Sequence, residues 1–75
     1  MKKTRNIVKE IITHELGIEI NDNLNLFDSG LDSLGTLRVL TFIEDELKIE
    51  IPDEELIPKN FETIEALVSM VNKYV

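Results

Sequence analysis

Ser33 is the residue whose surroundings best suit covalent chemistry. It stands in Gly30-Leu31-Asp32-Ser33-Leu34-Gly35, directly after a run of turn-forming residues. The run resembles the sharp turn of a serine hydrolase, but that motif has glycine two residues before the serine, whereas Gly30 is three before it. A hydrolase would also need a base, and the one histidine, His14, lies on a different segment. Autonomous catalysis is therefore not expected. With one histidine and no cysteine, only carboxylates remain as metal ligands. A calcium loop beginning at Asn21 would need glycine at its sixth place and glutamate at its twelfth, and meets Leu26 and Asp32 instead. His14 sits near the end of a helical stretch, where an imidazolium interacts well with the helix dipole, and reads as structural. A hydroxyl at the start of a helix suits a different reaction. It is open to an external enzyme, and the helix N-terminus stabilises an attached phosphate, so Ser33 can carry a phosphoester. The competing reading is that Ser33, or Asp32, only caps the helix.

The elements that position Ser33 are helical. Ile7, Val8, Ile11, Ile12 and Leu16 form a stripe at helical spacing over 4–16, with Gly17 as its stop. Residues 17–32 read as a long loop, with Asn21-Asp22-Asn23 and Asp28-Ser29-Gly30 as turns and with Leu24, Leu26 and Phe27 pinning it to the core. A second helix covers 33–48. Its Leu37, Val39, Leu40, Phe42, Ile43 and Leu47 occupy more than half of the circumference, so it is expected to be the most buried, with Leu34, Arg38, Thr41 and Asp45 facing solvent. Pro52 followed by Asp53, Glu54 and Glu55 predicts a short helix ended by Pro58. A last helix runs over 63–74, capped by Asn60 or Thr63. Strands are poorly supported beyond Ile18-Glu19-Ile20. The expected fold class is all-α: three main helices and one short one.

Composition bounds the partners. The 75 residues fit a single domain, 1–75, and the 43% hydrophobic content suffices for a core. Eight basic residues against 15 acidic ones give a formal net charge of −7, which argues against nucleic acid and anionic membranes as partners. The charge is uneven: residues 44–65 hold nine acidic and two basic side chains, a surface that attracts basic partners. The absence of cysteine removes disulfides and thiol nucleophiles from the polypeptide. Met1 to Asn6 carries Lys2, Lys3 and Arg5 with no apolar stretch behind it, so no secretory leader is expected and the cytoplasm is the default location. No stretch is apolar enough to span a bilayer, and no long heptad seam predicts an oligomer.

The order of motifs along the chain resembles the acyl carrier protein family, the phosphopantetheine-binding carriers of fatty acid, polyketide and peptide-like biosynthesis. The residues that carry the likeness are Leu26-Phe27-Asp28-Ser29-Gly30-Leu31-Asp32-Ser33-Leu34, then Glu44-Asp45-Glu46-Leu47, Ile51-Pro52-Asp53-Glu54-Glu55 and Phe61-Glu62-Thr63-Ile64. They cover nearly the whole chain. The resemblance implies a small four-helix bundle whose Ser33 receives 4′-phosphopantetheine from coenzyme A through a separate phosphopantetheinyl transferase. Acyl or aminoacyl groups would then ride on the arm as thioesters between ligases, synthases and transferases, and the carrier, a monomer, would catalyse nothing. By the same resemblance Asp32 and Leu34 help partners dock, and Glu44, Asp45, Asp53, Glu54 and Glu55 meet their basic patches.

Two positions depart from the fatty-acid pattern. Gly35 and Arg38 stand where fatty-acid carriers commonly place acidic residues, so this partner-facing surface is less negative and Arg38 points to a different choice of partner. Gly35 also costs about 1 kcal/mol of helix stability relative to alanine, which calls for a close approach of a partner or of the loop. The Leu-Asp-Ser-Leu-Gly run looks like stand-alone carriers of aminoacyl or secondary-metabolite pathways, including D-alanyl carriers. The alternative function is an unmodified acidic helical module that binds a protein through Leu34 and its carboxylates.

Overall fold

In the computed structural model, which describes residues 4–75, the first apolar stripe forms helix α1, Thr4–Leu16, and buries Ile7, Val8 and Ile12. Lys2 and Lys3 of the basic N-terminal segment lie outside the described residues. Gly17, at φ 71°, ends α1 and donates its N–H to the Thr13 carbonyl at 2.8 Å. The long loop follows and is pinned as its sequence suggests. Ile20, Leu26 and Leu31 are buried, and the Leu26 N–H reaches the Glu62 carbonyl at 2.7 Å, joining the loop to the segment before the last helix. Arg5 strengthens that closure by pairing with Asp22 and with Glu65, each at 2.7 Å.

Helix α2 is Ser33–Leu47. It ends at Lys48, whose φ of 58° is the left-handed conformation that glycine usually supplies, and the Ile49 N–H returns to the Glu44 carbonyl at 3.2 Å. The short helix expected after Pro52 is a single 3₁₀ turn, Asp53–Glu55, and a second 3₁₀ turn follows at Pro58–Phe61. Pro58 explains the break between them, because its ring forces the preceding residue out of helical backbone. Ile57 is accordingly extended, at φ −120° and ψ 148°. Helix α3, Ile64–Val71, starts at Thr63, whose hydroxyl accepts the Ala66 N–H at 3.1 Å. It stops short of the expected end, and residues 72 and 73 form a turn.

One core joins these elements: Val8 and Ile12 of α1, Val39, Leu40 and Ile43 of α2, Phe61, and Ile64, Leu67, Val68 and Val71 of α3. The most buried helix is α3, not α2 as its sequence suggests. Five of the eight residues in α3 are buried, against four of fifteen in α2. The apolar arc of α2 is wider than the surface that its neighbours offer. Leu37 and Phe42 consequently remain 51% and 47% exposed, and Leu34, on the stripe expected to face solvent, is 60% exposed. No strand occurs among the described residues, and none of their helices is long and apolar enough to cross a membrane.

Candidate functional site

The start of α2 resolves which residue caps the helix. Asp32 has extended backbone, and its Oδ1 accepts the Gly35 N–H at 2.7 Å while its carbonyl accepts the Thr36 N–H at 2.8 Å. The Thr36 hydroxyl adds a bond to the same carbonyl at 2.9 Å. Asp32 therefore does the capping, and Ser33 becomes the first helical residue. Its side chain is exposed, and its Oγ takes part in no hydrogen bond among the described residues. The amides of Ser33 and Leu34 lie at the positive end of the helix dipole and have no acceptor within the helix.

Gly35 is explained by its neighbours. A Cβ there would lie 3.1 Å from Asp32 Oδ1, 3.2 Å from Glu15 Oε2 and 3.2 Å from Leu31 Cδ1. The close approach comes from α1, the capping residue and the loop together. Glu15 is itself held by Arg38, whose Nη2 and Nε reach its Oε2 at 2.6 and 3.1 Å. The hydrogen bond to Glu15, followed by its charge, raises the Arg38 pKa, and the guanidinium is a paired cation rather than a free one. Gly35→Ala would gain helix propensity but press on two carboxylates that are already engaged. We expect a net loss of about 1 kcal/mol, read as a fall of several degrees in melting temperature.

Beside Ser33 runs an open groove of about 270 Å³, lined by Phe27, Thr36, Leu37, Leu56, Ile57, Pro58 and Phe61. Leu37 stands on the α2 side, and residues 56–61 form the opposite wall. A wider depression of about 640 Å³ along α1, lined by Asn6, Lys9, His14 and Glu19 among others, shares no residue with this groove.

The acidic residues separate into two kinds. Glu44 turns inward, its Oε2 accepting the Ile51 N–H at 2.8 Å. Glu55 is also committed: its Oε1 accepts Asn60 Nδ2 at 3.0 Å, and its Oε2 accepts Lys73 Nζ at 2.8 Å together with the Tyr74 hydroxyl. Asp45, Asp53 and Glu54 remain exposed, as does Leu34. The local sequence around Glu55 does not signal its bonds to Lys73 and Tyr74, which arrive from the far end of the chain.

The Lys73 hydrogen bond, and after it that of Tyr74, hold Glu55 below the usual carboxylate range, against the opposing effect of burial. The Tyr74 phenol is pushed up to about 12, mainly by its hydrogen bond to Glu55. The chain has one tyrosine and no tryptophan, so near-ultraviolet absorbance follows this ionisation alone. We expect a midpoint at about 12 in the intact protein, falling toward the ordinary value of about 10 in Glu55→Ala. A phenol raised in the folded state contributes stability fully below about pH 10 and loses it as pH rises through the folded value. Glu55, lowered in the folded state, contributes above its ordinary range and loses that contribution as pH falls through the lowered value.

A family profile described as the phosphopantetheine attachment site matches residues 6–71. The chain belongs to this family. It is a helical carrier domain, and its cofactor is 4′-phosphopantetheine, held covalently. Solved structures agree with the assignment. The chain is similar, at 26% identity and a TM-score of 0.84, to a chain in the complex of Bradyrhizobium japonicum glycine:carrier protein ligase with its cognate carrier protein and an analogue of glycyl adenylate, covering 93% of this chain and 96% of that one. A second match, at 28% identity and a TM-score of 0.83, is in the engineered ligase complexed with a carrier protein from Agrobacterium tumefaciens and ATP, covering 95% and 99%. A third, at 25% identity and 0.79, is in the B. japonicum ligase complexed with glycylated carrier protein, covering 89% and 96%.

Proposed function

We propose that Ser33 is the attachment residue and that this carrier transports aminoacyl groups as thioesters. The observation that carries the assignment is the exposed Ser33 hydroxyl at the first position of α2, without a hydrogen-bond partner among the described residues and released from capping by Asp32. In the transfer, Ser33 Oγ forms a bond to the phosphorus that bears the pantetheine in coenzyme A. The anhydride P–O bond breaks, adenosine bisphosphate leaves with the electron pair, and a base on the separate transferase takes the serine proton. The new phosphodiester faces the open amides at the start of α2. Once attached, the group supplies the thiol that this cysteine-free chain lacks. The chain is then a substrate and shuttle for other enzymes in the cytoplasm, a single-domain monomer without catalytic activity of its own.

The aminoacyl cargo is supported by the likeness to carriers complexed with a glycine ligase, one of them glycylated. For docking, Asp32 acts through the cap and Leu34 offers an exposed apolar contact beside the attachment point. Arg38 meets partners as a pair with Glu15. Because Glu44 and Glu55 are committed within the chain, acidic contacts narrow to Asp45, Asp53 and Glu54. Reversing Asp53 and Glu54 together to lysine is expected to lower ligase kcat/KM by about tenfold, mainly through encounter rate. The melting temperature should hold, and the penalty should shrink as salt is added.

The direct test is intact mass before and after incubation with coenzyme A and a broad-specificity phosphopantetheinyl transferase, followed by ATP, amino acids and an aminoacyl ligase. One added phosphopantetheine and then one aminoacyl group support the reading. No added mass on folded protein, tried with several transferases and with prior modification excluded, would favour an unmodified interaction module that docks through Leu34.

A further inference from the structure

The two walls of the groove beside Ser33 differ in how they are held. Thr36 and Leu37 stand on α2, a 15-residue helix packed on α1. Leu56, Ile57 and Phe61 stand on residues 53–61, which hold only two short 3₁₀ turns. Such turns are weak by themselves. Phe61 anchors one end of this segment in the core, being 1% exposed, but Ile57 is 46% exposed. Leu56 packs partly against the core, and the stretch between it and Phe61 gains from a further fixed point.

Glu55 supplies it. Asn60 Nδ2 donates to the Glu55 carbonyl at 2.8 Å and to its Oε1 at 3.0 Å, closing the segment on itself. Lys73 Nζ at 2.8 Å and the Tyr74 hydroxyl bind Oε2 from beyond α3. Tyr74 in turn packs against the core. The carboxylate side chain is only 12% exposed, so these charge-assisted bonds are sheltered from competing water. One side chain thus fastens the outer wall of the groove to the chain's last residues.

We propose that Glu55, gripped by Asn60, Lys73 and Tyr74, is a positioning residue that fixes the 56–61 wall in its place beside α2 and so keeps the groove an open one that does not enclose a long acyl cargo. This inference rests on Ser33 as the attachment residue. A groove free to widen would draw a long acyl chain out of water and shelter its thioester. A fastened groove stays open to solvent, so a chain lying along it keeps its thioester exposed to attack.

The test loads the parent, Tyr74→Phe, Glu55→Ala and Glu55→Gln with acetyl- or octanoyl-phosphopantetheine from the corresponding coenzyme A thioesters. Intact mass confirms loading before anything else is measured. Hydrolysis of each thioester is then compared with that of the same thioester on free pantetheine. In the parent both should hydrolyse at the free rate. In Tyr74→Phe and Glu55→Ala the octanoyl thioester should slow by about tenfold as a few methylenes leave water, with acetyl unchanged. Glu55→Gln keeps one acceptor oxygen where Glu55 uses two, so it loses either the Asn60 bond or the bonds to Lys73 and Tyr74 and should protect octanoyl to an extent between the parent and Glu55→Ala. Strong octanoyl protection in the parent overturns the inference whether or not the variants fold. Folded variants, verified by circular dichroism, that protect octanoyl no better than the parent overturn it as well. Failure of every form to load overturns instead the assignment of Ser33, and the inference with it.

Discussion

Ser33→Ala should abolish the mass gain from coenzyme A and transferase completely while leaving the fold intact. The second half of that expectation is as informative as the first. Because Asp32 provides the cap and the Ser33 hydroxyl has no partner among the described residues, its removal breaks no internal bond. Stability should move by no more than about 0.5 kcal/mol, the range of surface substitutions away from special features. Helical circular dichroism and thermal melting would confirm this, and intact mass would report the lost modification. A residual mass gain in the variant would move attachment to another hydroxyl. Ser29 is a poor substitute, since its Oγ is engaged with the Asn25 carbonyl at 3.0 Å. A large loss of stability would instead return Ser33 to a structural role.

The largest effect on stability is expected at Phe61. It is the bulkiest of the fully buried side chains and belongs to the second 3₁₀ turn, where it faces both the core and the groove beside Ser33. Phe61→Ala removes its transfer free energy and leaves a cavity, at a cost of about 3–5 kcal/mol. A domain of this length has a total stability of only about 4–11 kcal/mol. The variant should therefore melt more than ten degrees lower, at about 4–8 °C per kcal/mol, and populate unfolded chains in mild urea. Chemical denaturation followed by circular dichroism would check this. A midpoint close to that of the parent would show that the 53–61 segment tolerates collapse around the gap. Loading at Ser33 should fail in proportion to the unfolded fraction, which separates this variant from Ser33→Ala.

Much of the architecture could be read from local pattern. The stripe from Ile7 to Leu16 sets α1, and Asp32 next to Ser33 sets the start of α2, because helical spacing and capping act over a few residues. Ser33 stood out because its neighbours on both sides were informative. What the pattern missed required knowledge of distant partners. The apolar residues of α2 gave no sign that Leu37 and Phe42 would find too little surface to cover them. Glu44 and Glu55 read as ordinary exposed carboxylates in an acidic run, yet one binds the Ile51 amide and the other collects Asn60, Lys73 and Tyr74. The short helix after Pro52 followed composition correctly in place but not in form, since Pro58 left room for only one turn before the chain had to extend. Gly35 was recognisable as costly, and the reason for it became visible only when α1 brought Glu15 alongside.

The pairing of Arg38 with Glu15 has a further consequence for the field around the start of α2. The guanidinium is matched by a carboxylate brought from α1, so this turn presents a dipole and not a lone cation. With the two charges 2.6 Å apart, their fields largely cancel a short distance into solvent. Long-range attraction at this end of the molecule is therefore left to the exposed carboxylates elsewhere on the surface.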